Sequence, residues 1–101
     1  MIRAAFLIRG DAAEFTVEGH SGAGVQGEDI VCAAVSSAAY MTVNTVTEIL
    51  GVEADAEDSD GYMRFSSRGS SAAADIVRGF RLHMEQLAEQ YPDYVTIKTE
   101  V

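Results

Sequence analysis

The sequence has little cysteine and few basic residues, and both shortages exclude classes of protein. Its single cysteine, Cys32, can form no disulfide within the chain and rules out a zinc site made of several cysteines. Only seven lysines and arginines stand against sixteen aspartates and glutamates, which leaves a net charge of −9. Nucleic-acid binding requires basic groups that displace counterions from phosphates, so we expect no direct contact with DNA or RNA. A basic protein is a more suitable partner.

A long apolar run is also missing from the N-terminal segment. The apolar stretch there is interrupted by Arg3 and Arg9, and it is too short for a signal peptide or a membrane span. The sequence therefore predicts a soluble, cytoplasmic protein with no membrane partner. Apolar residues make up 48% of the 101 residues, so the chain can bury a core, and its length predicts a single domain over residues 1–101.

Alternating apolar and polar residues predict two hairpins. The first pairs Ile2–Arg9 with residues 14–19, across a turn that begins at Gly10. The second pairs residues 52–57 with residues 62–66, and its strand pattern has an acidic outer edge. Each hairpin would offer one apolar face to a core.

Helical spacing of apolar residues follows each hairpin. It extends over residues 28–50 and then, after a cap at Ser70 or Ser71, as far as Pro92. A last alternating segment over residues 93–101 completes the order β-β-α-β-β-α-β. This order predicts the α+β class, as a two-layer α/β sandwich with both helices packed on one face of a mixed sheet.

One segment combines residues that are suited to catalysis. His20 ends a predicted strand, a glycine-rich loop follows, and Cys32 lies in or near the first turn of the predicted helix. The partial positive charge at a helix start stabilises a thiolate, which is the reactive form of the thiol. If the loop folds back, the imidazole and the thiol would form a pair that is capable of nucleophilic acyl transfer.

The spacing around Cys32 adds supporting residues. Asp29 and Ser36 would lie on the same helix face as Cys32, so all three could address one cavity. Asp29 could orient the imidazole, and Ser36 could donate a hydrogen bond to substrate, to water or to the histidine. The loop glycines would let an extended peptide backbone approach closely. They are Gly19, Gly22, Gly24 and Gly27.

Each of these residues also has a purely structural interpretation. Cys32 can be a small buried apolar residue, and His20 can be an ordinary loop residue. Asp29 can simply be an acid at a helix start, and Ser36 an ordinary helix serine. We interpret the second histidine, His83, as a surface residue of the second helix. A phosphate-binding loop is disfavoured, since the sequence has neither Gly-Lys-Ser/Thr nor a full dinucleotide fingerprint.

A long motif in the same segment resembles the ribosomal-processing cysteine proteases, the Prp family, a group formerly described as YsxB-like. The motif consists of Gly19-His20, six further residues, and then Gly27-Glu28-Asp29-Ile30-Val31-Cys32-Ala33-Ala34-Val35-Ser36. The resemblance covers nearly the whole chain in length and element order. It implies that His20 and Cys32 are the catalytic dyad, with Asp29 and Ser36 in supporting positions.

The resemblance also implies a specific activity. The expected enzyme is a cysteine endopeptidase that removes the short N-terminal extension from the precursor of large-subunit ribosomal protein L-twenty-seven, through a thioester intermediate. It would be a homodimer and would use no cofactor and no metal ion. Two other functions stay open at this point: a noncatalytic ribosome-associated interaction module, and a thiol hydrolase that acts on small molecules with the same dyad.

Overall fold

The computed structural model describes residues 1–19 and 26–100, and the side chains of all these residues except 26–29 and 100. The elements follow the predicted order. They are β1 (Ile2–Arg9), β2 (Ala12–Glu18), α1 (Gln26–Asn44), β3 (Asp55–Ser59), β4 (Tyr62–Ser67), α2 (Ser71–Gln90) and β5 (Val95–Glu100). A π-helical segment, Thr45–Ile49, continues α1.

The five strands form one mixed sheet in the order β3-β4-β2-β1-β5. Neighbouring strands are antiparallel except for β1 and β5, which are parallel. β4 runs in the same direction as β1, and α2 connects β4 to β5 across the sheet. Such a helical crossover lets β5 run in the same direction again, so β5 is parallel to β1. The predicted α+β class with a mixed sheet is confirmed.

Aromatic side chains fill the space between the sheet and α2. The strand register places Phe6 opposite Phe15, and Phe15 opposite Phe65, on the face that meets the helices. The ring of Phe80 from α2 lies edge-on to Phe6 and Phe15, with ring centroids 5.5 and 4.9 Å apart. All four rings are at most 3% exposed. Such edge-to-face pairs contribute about 0.5–1.5 kcal/mol each in addition to the burial of apolar area.

Each helix buries one stripe, as the spacing predicts. In α2 the buried side chains include Val77, Phe80 and Met84, and the helix begins at Ser70, whose hydroxyl accepts a hydrogen bond from the amide of Ala73 at 3.0 Å. This bond satisfies one of the free amides at the helix start. Ser70 is therefore the cap, and Ser71 is the first residue of the helix.

The first helix is apolar on more than its buried side. Residues Ile30–Ile49 are long and apolar enough to span a membrane by length and composition alone. Val31, Val35 and Val46 from this stretch are buried in the core cluster. Core helices of soluble proteins commonly have the same length and composition, so this stretch is weak evidence for a membrane span.

Several predicted boundaries differ from those in the structure, and the differences at α1 and β3 bear on the site. The loop was expected to include Gly27, but α1 begins at Gln26. The third strand was expected over residues 52–57, but it spans Asp55–Ser59. The chain leaves the helix at Gly51, whose φ of +66° suits glycine, and the amide of Val52 still donates to the carbonyl of Val46 at 3.0 Å. Residues 52–54 therefore connect the helix to β3 and are not part of the strand.

Candidate active site

A surface cavity of about 460 Å³ lies between α1 and the end of the β3–β4 hairpin. Cys32 and Ser36 contribute to its helix side, and Asp58, Asp60 and Gly61 contribute to its hairpin side. Ser36 and both aspartates are exposed, so the cavity opens to solvent. The structure therefore brings the candidate nucleophile and one predicted supporting residue into a single accessible site.

Cys32 is half-buried, and it both packs against the core cluster and lines the cavity. Its apolar surroundings agree with the structural interpretation, and its access to the cavity agrees with the catalytic interpretation. Its place in the helix differs from the prediction, since α1 begins at Gln26 and Cys32 is in the second turn.

A phenol–carboxylate hydrogen bond forms part of the cavity wall. Tyr40, two turns after Cys32, donates its phenolic hydrogen to Oδ2 of Asp58 across 2.5 Å. Both residues line the cavity. The hydrogen bond to Asp58 raises the pKa of Tyr40 above its usual value, with smaller contributions from desolvation and from the negative charge of Asp58. Tyr40 therefore stays protonated, and a donor, throughout the neutral range.

The end of β2 is fixed to the same hairpin. The amide of Gly19 donates to the carbonyl of Gly61 at 2.8 Å. Gly19 has a φ of +94°, and a Cβ at this position would lie 2.2 Å from the carbonyl oxygen of Met1. Only glycine fits such a backbone, so Gly19 has a structural reason for its identity whether or not substrate approaches it.

Several predicted site residues lie partly or wholly outside the described part of the chain. His20, Gly22 and Gly24 are outside the described residues. Asp29 belongs to α1, three positions before Cys32, but its side chain is not among those described. The roles predicted for these four residues stay predictions. Gly27 also lies in α1, in the helix and not in the expected loop.

The second histidine is in a different place. His83 is exposed on α2, as predicted, and lines a separate groove between the two helices together with Met41 and Phe80. Among the described residues, the structure shows no group of three histidine, cysteine, aspartate or glutamate side chains that could hold a metal ion.

Tyr40 and Asp58 were missed in the sequence, although signals for both were present. Tyr40 continues the four-residue spacing of Cys32 and Ser36, which keeps all three on one side of the helix. Asp58 follows the strand predicted over residues 52–57, and this predicted boundary places it in the connecting turn. The dipeptide Asp60-Gly61 is a typical two-residue hairpin loop, and it extends the strand as far as Ser59. In that register Asp58 lies opposite Met63, on the face that meets the helices.

Comparison with known proteins identifies the family. The sequence model described as "Cysteine protease Prp" matches residues 1–96. The chain belongs to this family. As a member it is a cysteine protease, which decides against the noncatalytic module that the sequence had left open.

Individual relatives agree with this assignment. The chain is 26% identical over 95 residues to the ribosomal processing cysteine protease Prp of Bacillus subtilis, covering 86% of this chain and 85% of the relative. Among solved structures it resembles SMU.848 from Streptococcus mutans, with 30% identity, a TM-score of 0.78, and coverage of 98% of this chain and 93% of the other. The fold also matches Prp from Staphylococcus aureus solved with a substrate peptide, with 20% identity, a TM-score of 0.88, and coverage of 99% and 100%.

Proposed function

We propose that this protease removes the short N-terminal extension from the precursor of large-subunit ribosomal protein L-twenty-seven. The observation that carries the proposal is that the single cysteine of the chain lines an open surface cavity. The relative from Bacillus subtilis is named a ribosomal processing protease. The protease from Staphylococcus aureus has been solved with a substrate peptide and with a covalently linked product peptide.

The proposed mechanism uses Cys32 as nucleophile and His20 as general base. His20 takes the thiol proton, and the thiolate adds to the scissile carbonyl to form a tetrahedral oxyanion. When that oxyanion collapses, the carbon–nitrogen bond breaks, and the imidazolium gives its proton to the leaving amine. The acyl group stays on sulfur as a thioester. Water, deprotonated by His20, then hydrolyses the thioester and restores the thiol.

Two residues of α1 support this chemistry in our proposal. Asp29 orients or charge-stabilises the imidazole of His20, and Ser36 donates a hydrogen bond to substrate, water or the histidine. Ser36 is exposed one turn after Cys32 and lines the same cavity, which supports its part. The loop glycines Gly22 and Gly24 would allow a close approach of the substrate backbone.

The shape and charge of the site favour a basic peptide over a small molecule. The cavity opens beside an edge strand whose side chains are all exposed, so nothing in this wall encloses a small ligand. The net charge of −9, together with Asp60 at the cavity, suits a ribosomal precursor, which is a basic protein. This supports the endopeptidase over the small-molecule thiol hydrolase.

We further propose a cytoplasmic homodimer. Large apolar side chains are exposed on the helical layer, among them Met41 at 69% and Ile49 at 79%. Apolar surface of this kind is a common feature of interfaces between subunits. Light scattering of the purified protein should give twice the mass of the chain, and a monomer mass at micromolar concentration would contradict the dimer.

The two histidines allow a matched test of the mechanism. Cys32→Ala and His20→Gln should each lower cleavage of the precursor at least about a thousandfold, because both remove a reacting group. His83→Gln, which changes the same residue type outside the cavity, should cleave at the normal rate. The assay is mass spectrometry of the precursor from the same organism. Cleavage at the same bond by Cys32→Ala would overturn the proposal.

A further inference from the structure

The hydrogen bond between Tyr40 and Asp58 links the helix that carries Cys32 to the edge of the sheet. Tyr40 belongs to α1 and Asp58 to β3, eighteen positions apart in sequence, and their side chains meet at 2.5 Å. A hydrogen bond to a charged acceptor is among the stronger polar contacts in proteins. The mechanism proposed above assigns no role to this pair.

Apolar packing does little to hold β3 in place. All five of its side chains are exposed, whereas β4 beside it buries Met63, Phe65 and Ser67. At its outer edge β3 has no neighbouring strand in the described part of the chain. Backbone pairing with β4 holds β3 in the sheet, and the Tyr40–Asp58 hydrogen bond adds a direct side-chain link from β3 to α1.

The turn of this hairpin is also tied on a second side. The carbonyl of Gly61 accepts a hydrogen bond from the amide of Gly19. Gly19 is the last described residue before His20. The turn is therefore held between the end of β2 and the helix α1. The two residues that hold it, Gly19 and Tyr40, lie on either side of the predicted dyad in the sequence.

The link lies at a distance from Cys32 that fits a peptide. Eight residues of α-helix separate Cys32 from Tyr40, which corresponds to a rise of about 12 Å. An extended peptide advances about 3.3 Å per residue, so this rise equals the length of roughly three to four residues of an extended substrate.

We propose that Tyr40 and Asp58 are positioning residues of the protease. Their hydrogen bond holds the β3–β4 hairpin at a fixed distance from α1, and this keeps the cavity at the width that an extended substrate needs. The proposal rests on the proposed function of Cys32. It concerns substrate binding and not the chemical step, because neither side chain touches the reacting atoms.

Two substitutions separate the effect of the hydrogen bond on substrate binding from the effect of the negative charge of Asp58. Tyr40→Phe keeps the ring but removes the donor, while Asp58→Asn removes the charge but keeps a side-chain oxygen that accepts from Tyr40. We expect Tyr40→Phe to raise KM for the precursor about tenfold, the size of one hydrogen bond to a charged group, with kcat within about twofold. Asp58→Asn should stay close to the wild-type KM. Tyr94→Phe, which changes a tyrosine outside the cavity wall, is the matched control.

Two accompanying measurements distinguish the possible outcomes. Alkylation of Cys32 by iodoacetamide should proceed at the wild-type rate in Tyr40→Phe, because the small reagent does not need the cavity wall. The thermal midpoint should fall by only a few degrees, because a single exposed hydrogen bond contributes little to the stability of the fold. An unchanged KM in Tyr40→Phe, a large fall in kcat or alkylation, or a variant that does not fold would each overturn the positioning role.

The charge and the proposed function are tested in the same experiment. If Asp58→Asn raises KM while Tyr40→Phe leaves it unchanged, the cavity recognises the carboxylate charge and the positioning role is wrong. Cys32→Ala is assayed in parallel. Cleavage by that variant would show that the proposed function has failed, whereas an inactive Cys32→Ala beside a normal KM in Tyr40→Phe would show that only the positioning role has failed.

Discussion

The inner face of the sheet and its edge strand β3 are held in place in opposite ways. On the inner face, four phenylalanine rings pack against one another at 4.9–6.0 Å between centroids and are almost fully buried. The hairpin has an edge strand with no buried side chain, and polar links at Asp58 and Gly61 tie it to α1 and β2. Stability is therefore concentrated between sheet and helices, while the cavity lies at an edge where polar contacts determine geometry.

The largest expected difference between the two regions is the cost of deleting a core ring. Phe80→Ala should lower the free energy of unfolding by about 3–5 kcal/mol, because Phe80 is 3% exposed and contacts Phe6 and Phe15. Leu82→Ala, two positions along the same helix but 56% exposed, should change it by less than about 0.5 kcal/mol. Urea denaturation measures both, and equal losses would contradict this view of the core.

Gly19, which lines the cavity, should be an exception to a tolerant edge, because we expect its substitution to be costly. Gly10 and Gly19 both have positive φ, but an added Cβ meets nothing within 4 Å at Gly10 and lies 2.2 Å from the carbonyl oxygen of Met1 at Gly19. Gly10→Ala should therefore cost about 1 kcal/mol for backbone strain alone. Gly19→Ala should cost about 2 kcal/mol more because of the clash. Similar denaturation midpoints for the two variants would disprove the close approach.

Two buried hydroxyls sharpen the comparison within the core itself. Among the described residues, the Ser67 hydroxyl is buried without a hydrogen-bond partner, whereas the Thr42 hydroxyl donates to the carbonyl of Ala38 at 2.8 Å. Ser67→Ala should be neutral or stabilising by up to about 1 kcal/mol, since it removes an unsatisfied polar group. Thr42→Val should destabilise by about 0.5–1.5 kcal/mol. Thermal unfolding tests the opposite signs.

The smallest effect concerns the polar link at the hairpin and appears only at high pH. Because folding raises the pKa of Tyr40, the link contributes fully below the ordinary tyrosine pKa of about 10 and is lost as pH rises through the folded value. The stability difference between the wild type and Tyr40→Phe should therefore shrink above pH of about 10. Thermal midpoints measured across that range would reveal it, and a constant difference would contradict the link.

Much of the fold could be predicted from local patterns. Alternation and helical spacing identified all seven strands and helices in order, because every element except β3 has one buried face and one more exposed face. The boundaries of β3 were missed because its exposed, acidic sequence has no apolar pattern, and its register follows from the Asp60-Gly61 loop. Hydrophobic periodicity predicts an element only where one of its faces is buried and therefore consists of apolar residues.

The candidate site was only partly predictable for a related reason. Cys32 and Ser36 could be placed together because helical geometry relates residues four positions apart. Asp58 could not be placed beside Tyr40, since that contact joins a helix to an edge strand and depends on how α1 crosses the sheet. No local spacing contains this information.

The sequence by itself determined the class of the fold, the candidate nucleophile and the family resemblance. Each of these depends on residue type and on spacing along one element, which chain geometry dictates. The tertiary structure alone decided that Cys32 is in the second turn of α1, that Gly19 must be glycine, and that a helix and a hairpin line the same open cavity. These features depend on how separate elements pack against one another, and that packing is set by the shared core.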